Sequence, residues 1–105
     1  MTEREQRKLA AELTEGLDVR VKELGPGARA YAVKRGRRTV AEVLIRKSFG
    51  SQVRLNVRDE VTAAKVLNLT EADSTDWAAC ALVSENARQV AAAKRLLREI
   101  TAEQL

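Results

Sequence analysis

The chain has 105 residues, 45% of them hydrophobic and 32% charged, with a formal net charge of +4. Those figures predict one soluble domain, 1–105, and no window approaches the ~20 apolar residues of a membrane span. Histidine is absent and Cys80 is the lone cysteine, which excludes His/Cys zinc sites, removes the commonest general base and leaves no internal disulfide.

Thr2 followed by Glu5 is the pattern of a capping box opening a helix. Leu9, Ala10, Leu13 and Leu17 then recur at helical spacing, and the helix is predicted to end near Gly16. The charged opening from Thr2 to Lys8 holds no apolar run like that of a secretory signal. Together with the lone cysteine, this predicts a cytoplasmic protein. Gly25-Pro26-Gly27 is the strongest break and carries the only proline. Beyond it, Ala28 to Val33 suits a strand, Lys34-Arg35-Gly36-Arg37-Arg38 a hairpin connection, and Thr39 to Lys47 a second strand. Ser48-Phe49-Gly50-Ser51 reads as another turn. From Gln52 to Arg58 the alternation has no error. Val53, Leu55 and Val57 fall on one face, with Gln52, Arg54, Asn56 and Arg58 on the other. Ala41, Val43 and Ile45 form the matching inward set of the second strand, leaving Glu42, Leu44 and Arg46 outward.

Val61 to Leu67 is compatible with a short helix capped by Asp59, and residues 70–76 are polar enough for a loop. Trp77 to Val83 fits either a fourth strand or the first turns of a helix, because so short an apolar run does not separate the two. Ser84 is a suitable N-cap, and Val90, Ala93, Leu97 and Ile100 place one stripe on a last helix. The predicted fold class is α+β: an antiparallel three- to four-stranded sheet with an N-terminal and a C-terminal helix packed on one face. With only Tyr31, Phe49 and Trp77 as aromatics, its core must be built from Val, Leu, Ile and Ala.

The series Tyr31-Ala32-Val33-Lys34-Arg35-Gly36-Arg37, Ala41-Glu42-Val43, Val53-Arg54-Leu55-Asn56-Val57 and Trp77 … Leu82-Val83-Ser84-Glu85, followed by an amphipathic helix, resembles the YjbR/MmcQ-like proteins. It also resembles the related domain described as a predicted transport protein. The resemblance covers about residues 17–102. It implies that residues 77–83 are a strand and that helices pack on one face of a twisted antiparallel sheet; it implies no established activity, although such proteins are often described as DNA-binding. Ala91, Ala92, Leu96, Leu97 and Ile100 after Ser84 are similar to the closing helix of the double-stranded-RNA-binding domain. Ser84-Glu85-Asn86 stands where that module places lysines.

No set of residues points to catalysis, and the chain is expected to be neither an enzyme nor a holder of cofactor or metal. Cys80 lies among alanines with no base beside it and reads as a small buried residue. Glu71, Asp73 and Asp76 match no calcium-loop spacing, and Gly25-Pro26-Gly27 lacks the lysine and hydroxyl of a phosphate-binding loop. Charge distribution is the one feature with functional weight. Between Arg20 and Glu60 stand eleven cations against four carboxylates, a net +7 in a chain whose total is +4. The candidate site is Lys34, Arg35, Arg37, Arg38, Arg46, Lys47, Arg54 and Arg58, with the hairpin tip and the outward sheet face forming one surface. Its expected partner is a nucleic-acid backbone, DNA or RNA, with an acidic protein surface as the alternative and no membrane. The same charges would also solvate a bare sheet and discourage edge-to-edge association. Homodimerisation through a sheet edge or the Ala-rich last helix is compatible with either partner.

Overall fold

Thr2–Leu13 form helix α1 in the computed structural model, which describes residues 2–57, 66 and 80–102. Gln6, Leu9, Ala10 and Leu13 recur every three or four residues and are all buried, so one stripe of the helix enters the core. The chain then turns through Gly16, and Leu17 packs against that core. The capping contact expected of Thr2 involves a side chain outside the described ones.

The described residues form five strands in sequential antiparallel order: β1 (Val19–Gly25), β2 (Ala28–Arg35), β3 (Arg38–Arg46), β4 (Val53–Val57) and β5 (Cys80–Val83). The sequence pattern predicted three or four. The additional strand is β1, which has few apolar residues and is exposed almost throughout. Of the two readings of residues 77–83, the strand is the one formed at Cys80–Val83; residues 77–79 lie outside the described set. The 61–67 helix, the 70–76 loop with Glu71, Asp73 and Asp76, and Arg58 lie outside it too, apart from Val66, which is fully buried in the core.

Turn chemistry sets the meander. Pro26-Gly27 joins β1 to β2, with Gly27 at a φ of 71° in the position where a type II turn needs a left-handed residue. Gly36-Arg37 joins β2 to β3 as a two-residue hairpin loop, and Gly36, with a φ of 67°, takes the first central place. Lys34 and Arg35 therefore end β2, and Arg38 begins β3, so the connection is tighter than the five residues predicted. A 3-10 turn at Lys47–Phe49 links β3 to β4.

The final helix, α2, spans Ala87–Ala102. Its N-cap is Asn86 rather than Ser84: Asn86 Oδ1 accepts from the backbone N–H groups of Arg88 (2.9 Å) and Gln89 (3.2 Å). Ser84 stands two residues earlier, where its hydroxyl accepts from Asn86 N–H and donates to Gln89 Oε1. It braces the cap instead of forming it.

Both helices lie on one face of the sheet, as the pattern predicts. Leu9 and Leu13 of α1 and Val90, Ala93, Leu96, Leu97 and Ile100 of α2 meet Tyr31, Val33, Ala41, Val43, Ile45, Val53, Leu55, Val57, Ala81 and Val83. In the β2–β3 ladder the register shifts between Val33 and Lys34, so that Val33 faces Ala41 while Lys34 faces Thr39. The extra residue, Val40, packs against the core together with Ala41. This bulge turns two consecutive β3 side chains inward and restores parity at Thr39.

Three side chains tie distant parts of the chain together. Gln6 is fully buried, and its Nε2 donates to the carbonyls of Arg46 (2.6 Å) and Gln52 (3.1 Å), fixing both ends of the β3–β4 connection to α1. Arg98 of α2 donates to the carbonyls of Leu13, the last residue of α1, and of Glu15 just beyond it. Arg35 donates to the Ile100 carbonyl, 3.1 Å away in the last turn of α2. Each arginine thus satisfies carbonyls that a helix end leaves unpaired, and places a cation where the helix dipole favours one.

A candidate basic sheet face

Alternation along paired strands decides which cations share a surface. Directly paired residues of an antiparallel ladder point to the same side. Arg20, Ala32, Glu42, Asn56 and Cys80 therefore form one row across the face turned away from the helices, and Lys22, Ala30, Leu44, Arg54 and Leu82 form the next. Arg46 joins them opposite Ala28, and Lys34 opposite Thr39. Lys34 Nζ donates to Thr39 Oγ1 at 2.9 Å, which holds it along the sheet.

The seven described residues of the eight predicted do not form one cluster. Lys34, Arg35, Arg37 and Arg38 sit at one end of the β2–β3 hairpin; Arg46, Lys47 and Arg54 sit at the other. Arg38 and Arg46 are eight residues apart on one strand, about 26 Å at ~3.3 Å per residue. Arg35 faces α2 and is engaged there, so it is part of the fold and not of a binding tip. Arg38 pairs with Arg35 and starts from the same side. Arg37 and Arg38 are exposed at the turn, and Arg46 and Lys47 at the far end. Arg54 is half-buried, with its guanidinium carbon 5.8 Å from the centre of the Phe49 ring.

Two residues outside the predicted set bridge the gap. Arg20 and Lys22 on β1 are exposed on the helix-free face, across β2 from the β3 residues. Between them runs a strip of small side chains, Ala28, Ala30 and Ala32. Arg20 and Lys22 line one side of this strip, Arg46 and Arg54 the other and Lys34 one end, while Ala30 and Leu44 between them are buried. The two sides stand two to three strands apart, about 10–14 Å at ~4.8 Å per strand. The signal for these two cations was the alternation Val19-Arg20-Val21-Lys22, too short to read once the strand itself had gone unrecognised.

Glu42 is the one carboxylate in these rows. No carboxylate among the described residues lies within ion-pair distance of Arg20, Lys22, Lys34, Arg37, Arg38, Arg46, Lys47 or Arg54. Arg29 is the contrasting case. It meets Glu23 at 2.6 Å and lies over Tyr31. Its pKa is raised first by the hydrogen bond to the Tyr31 hydroxyl and then by that to Glu23, so it stays charged but is internally compensated. On the β4–β5 side the helix-free face is closed: Asn56 and Cys80 are buried there. Cys80 is thus the small buried residue its flanks predict. Ala30 and Leu44 are buried on this face as well, so its accessible part is made by β1, by Ala28, Ala32, Lys34, Glu42 and Arg46, and by Arg54.

Among the described residues, no helix is long and apolar enough to cross a membrane. Comparison with family models, with curated proteins and with solved structures found no match.

Proposed function

We propose that this chain is a non-enzymatic binding module that contacts nucleic-acid phosphates through the helix-free face of its sheet. The observation that carries the reading is the arrangement of charge on that face. Five cations, Arg20, Lys22, Lys34, Arg46 and Arg54, border a strip of alanines with a single carboxylate among them. Long cationic side chains stand on both sides of the strip. Three of the five are arginines, whose planar fork suits phosphate oxygens. Arg37 and Arg38 add positive potential at the hairpin end.

Base reading has little support here. The Phe49 ring is engaged by Arg54, and among the described residues no exposed aromatic pair offers a stacking platform. The expected mode is backbone contact without strong sequence preference. Five neutralised duplex phosphates give a log–log salt slope of about −4.5, and roughly a 500-fold loss of affinity between 50 and 200 mM salt. Titrating a random-sequence duplex at several salt concentrations tests this. Arg20→Glu with Lys22→Glu should flatten the slope by about 2. Absence of binding at low salt, or an unchanged slope in that double variant, overturns the reading.

A further inference from the structure

The two edges of the sheet differ. β5 is four residues long and mostly buried, whereas β1 is seven residues long and exposed at every position after Val19. The exposed large apolar side chains among the described residues, Val21 (49%) and Leu24 (43%), both belong to β1. Its free backbone groups can be assigned. Lys34 N–H donates to the Asp18 carbonyl at 2.8 Å, so Asp18 turns its backbone groups toward β2. By alternation Arg20 and Lys22 do the same, and Val19, Val21 and Glu23 direct their N–H and C=O groups outward. Those three residues offer a ladder about 14 Å long at ~3.4 Å per residue.

We propose that β1 is a docking edge for an extended acidic segment of a partner protein, which adds a sixth strand to the sheet. Strand addition supplies the backbone bonds, and alternate side chains supply specificity. On the helix-free face the incoming strand meets Arg20 and Lys22, which select carboxylates. On the opposite face it meets Val21, beside Tyr31 in the β1–β2 ladder, which selects an apolar side chain. The matching segment reads acidic–apolar–acidic in either strand direction. A second copy of β1 is a poor occupant. Two-fold pairing centred on Val21 sets Arg20 opposite Lys22 twice, and pairing centred on Arg20 or Lys22 sets that residue opposite itself. Like charges directly opposite destabilise a ladder.

This inference does not rest on the phosphate reading, and the experiment separates the two. The probe is a dye-labelled synthetic heptapeptide of alternating Glu and Val, with a Lys/Val heptapeptide as control. The Glu/Val peptide should bind saturably and slow amide exchange at Val19, Val21 and Glu23, while Arg20 and Lys22, already in the ladder, change little. Val21→Pro removes an outward donor that β2 does not use, an edge position where proline is tolerated. It should abolish peptide binding while leaving thermal unfolding and salt-dependent duplex binding in place. Arg20→Glu with Lys22→Glu should weaken the Glu/Val peptide about tenfold or more and favour the Lys/Val one. The proposal is overturned if the Glu/Val peptide fails to bind at about 1 mM, if both peptides bind equally, if protection does not alternate along β1, or if the free chain dimerises through this edge.

Discussion

Arg35→Ala separates the structural cations of the hairpin from those available to a ligand. The Arg35 guanidinium donates to the Ile100 carbonyl across 65 residues of sequence, joining the end of β2 to the last turn of α2. A hydrogen bond to a charged group contributes about 1.5–3 kcal/mol, and a cation at a helix C-terminus about 0.3–1 kcal/mol. Arg35 is half-buried, and water partly replaces what is lost. The net cost should therefore be about 1–2 kcal/mol, or roughly 5–10 °C in thermal midpoint for a domain of this size. Arg37→Ala, two residues away and exposed, should stay within about 0.5 kcal/mol of the parent. Arg35→Lys should recover the charge but not the forked geometry, and fall between them. Thermal and urea unfolding followed by far-ultraviolet circular dichroism would read all three. Equal midpoints for Arg35→Ala and Arg37→Ala would refute the assignment. Reversing Arg35, Arg37 and Arg38 together is consequently a poor test of binding, since one of the three holds α2 in place.

Three further substitutions probe the same framework. Gln6→Ala removes two donors from the carbonyls of Arg46 and Gln52 and leaves a cavity in the core, so it should cost about 2–4 kcal/mol in urea unfolding. Asn86→Ala should cost about 1 kcal/mol, and Ser84→Ala less, because Asn86 caps α2 directly; the reverse order in thermal midpoints would return the cap to Ser84. Leu55→Ala, at the centre of β4 and fully buried, should cost about 2–5 kcal/mol and broaden the unfolding transition if the core collapses around it.

Parity was legible in β3 and β4, where every second side chain packs against the helices. Val53, Leu55 and Val57 alternate with Arg54 and Asn56, and Ala41, Val43 and Ile45 with Glu42, Leu44 and Arg46. Both sets point where the alternation sends them. The outward direction of Arg46 and Arg54 was therefore readable from the letters. β1 was not, because an edge strand exposed on both faces needs no apolar period, and its register breaks between Glu23 and Gly25. With β1 unrecognised, Arg20 and Lys22 had no face to belong to. Ser84 and Asn86 are equally good caps by residue type, and only the helix's first hydrogen bonds distinguish them.

Turn chemistry and side-chain period act over a few residues, so the sequence by itself determined the α+β class, the turns on either side of β3 and the inward faces of β3 and β4. Convergence of charge acts over the whole molecule. The basic stretch is continuous in sequence, but the nine-residue β3 carries its two halves to opposite ends of the sheet. One arginine was drawn off by a helix end, and a neighbouring strand supplied the cations that lie between. Tertiary structure decided those outcomes, because antiparallel pairing sets residues side by side according to register rather than distance along the chain.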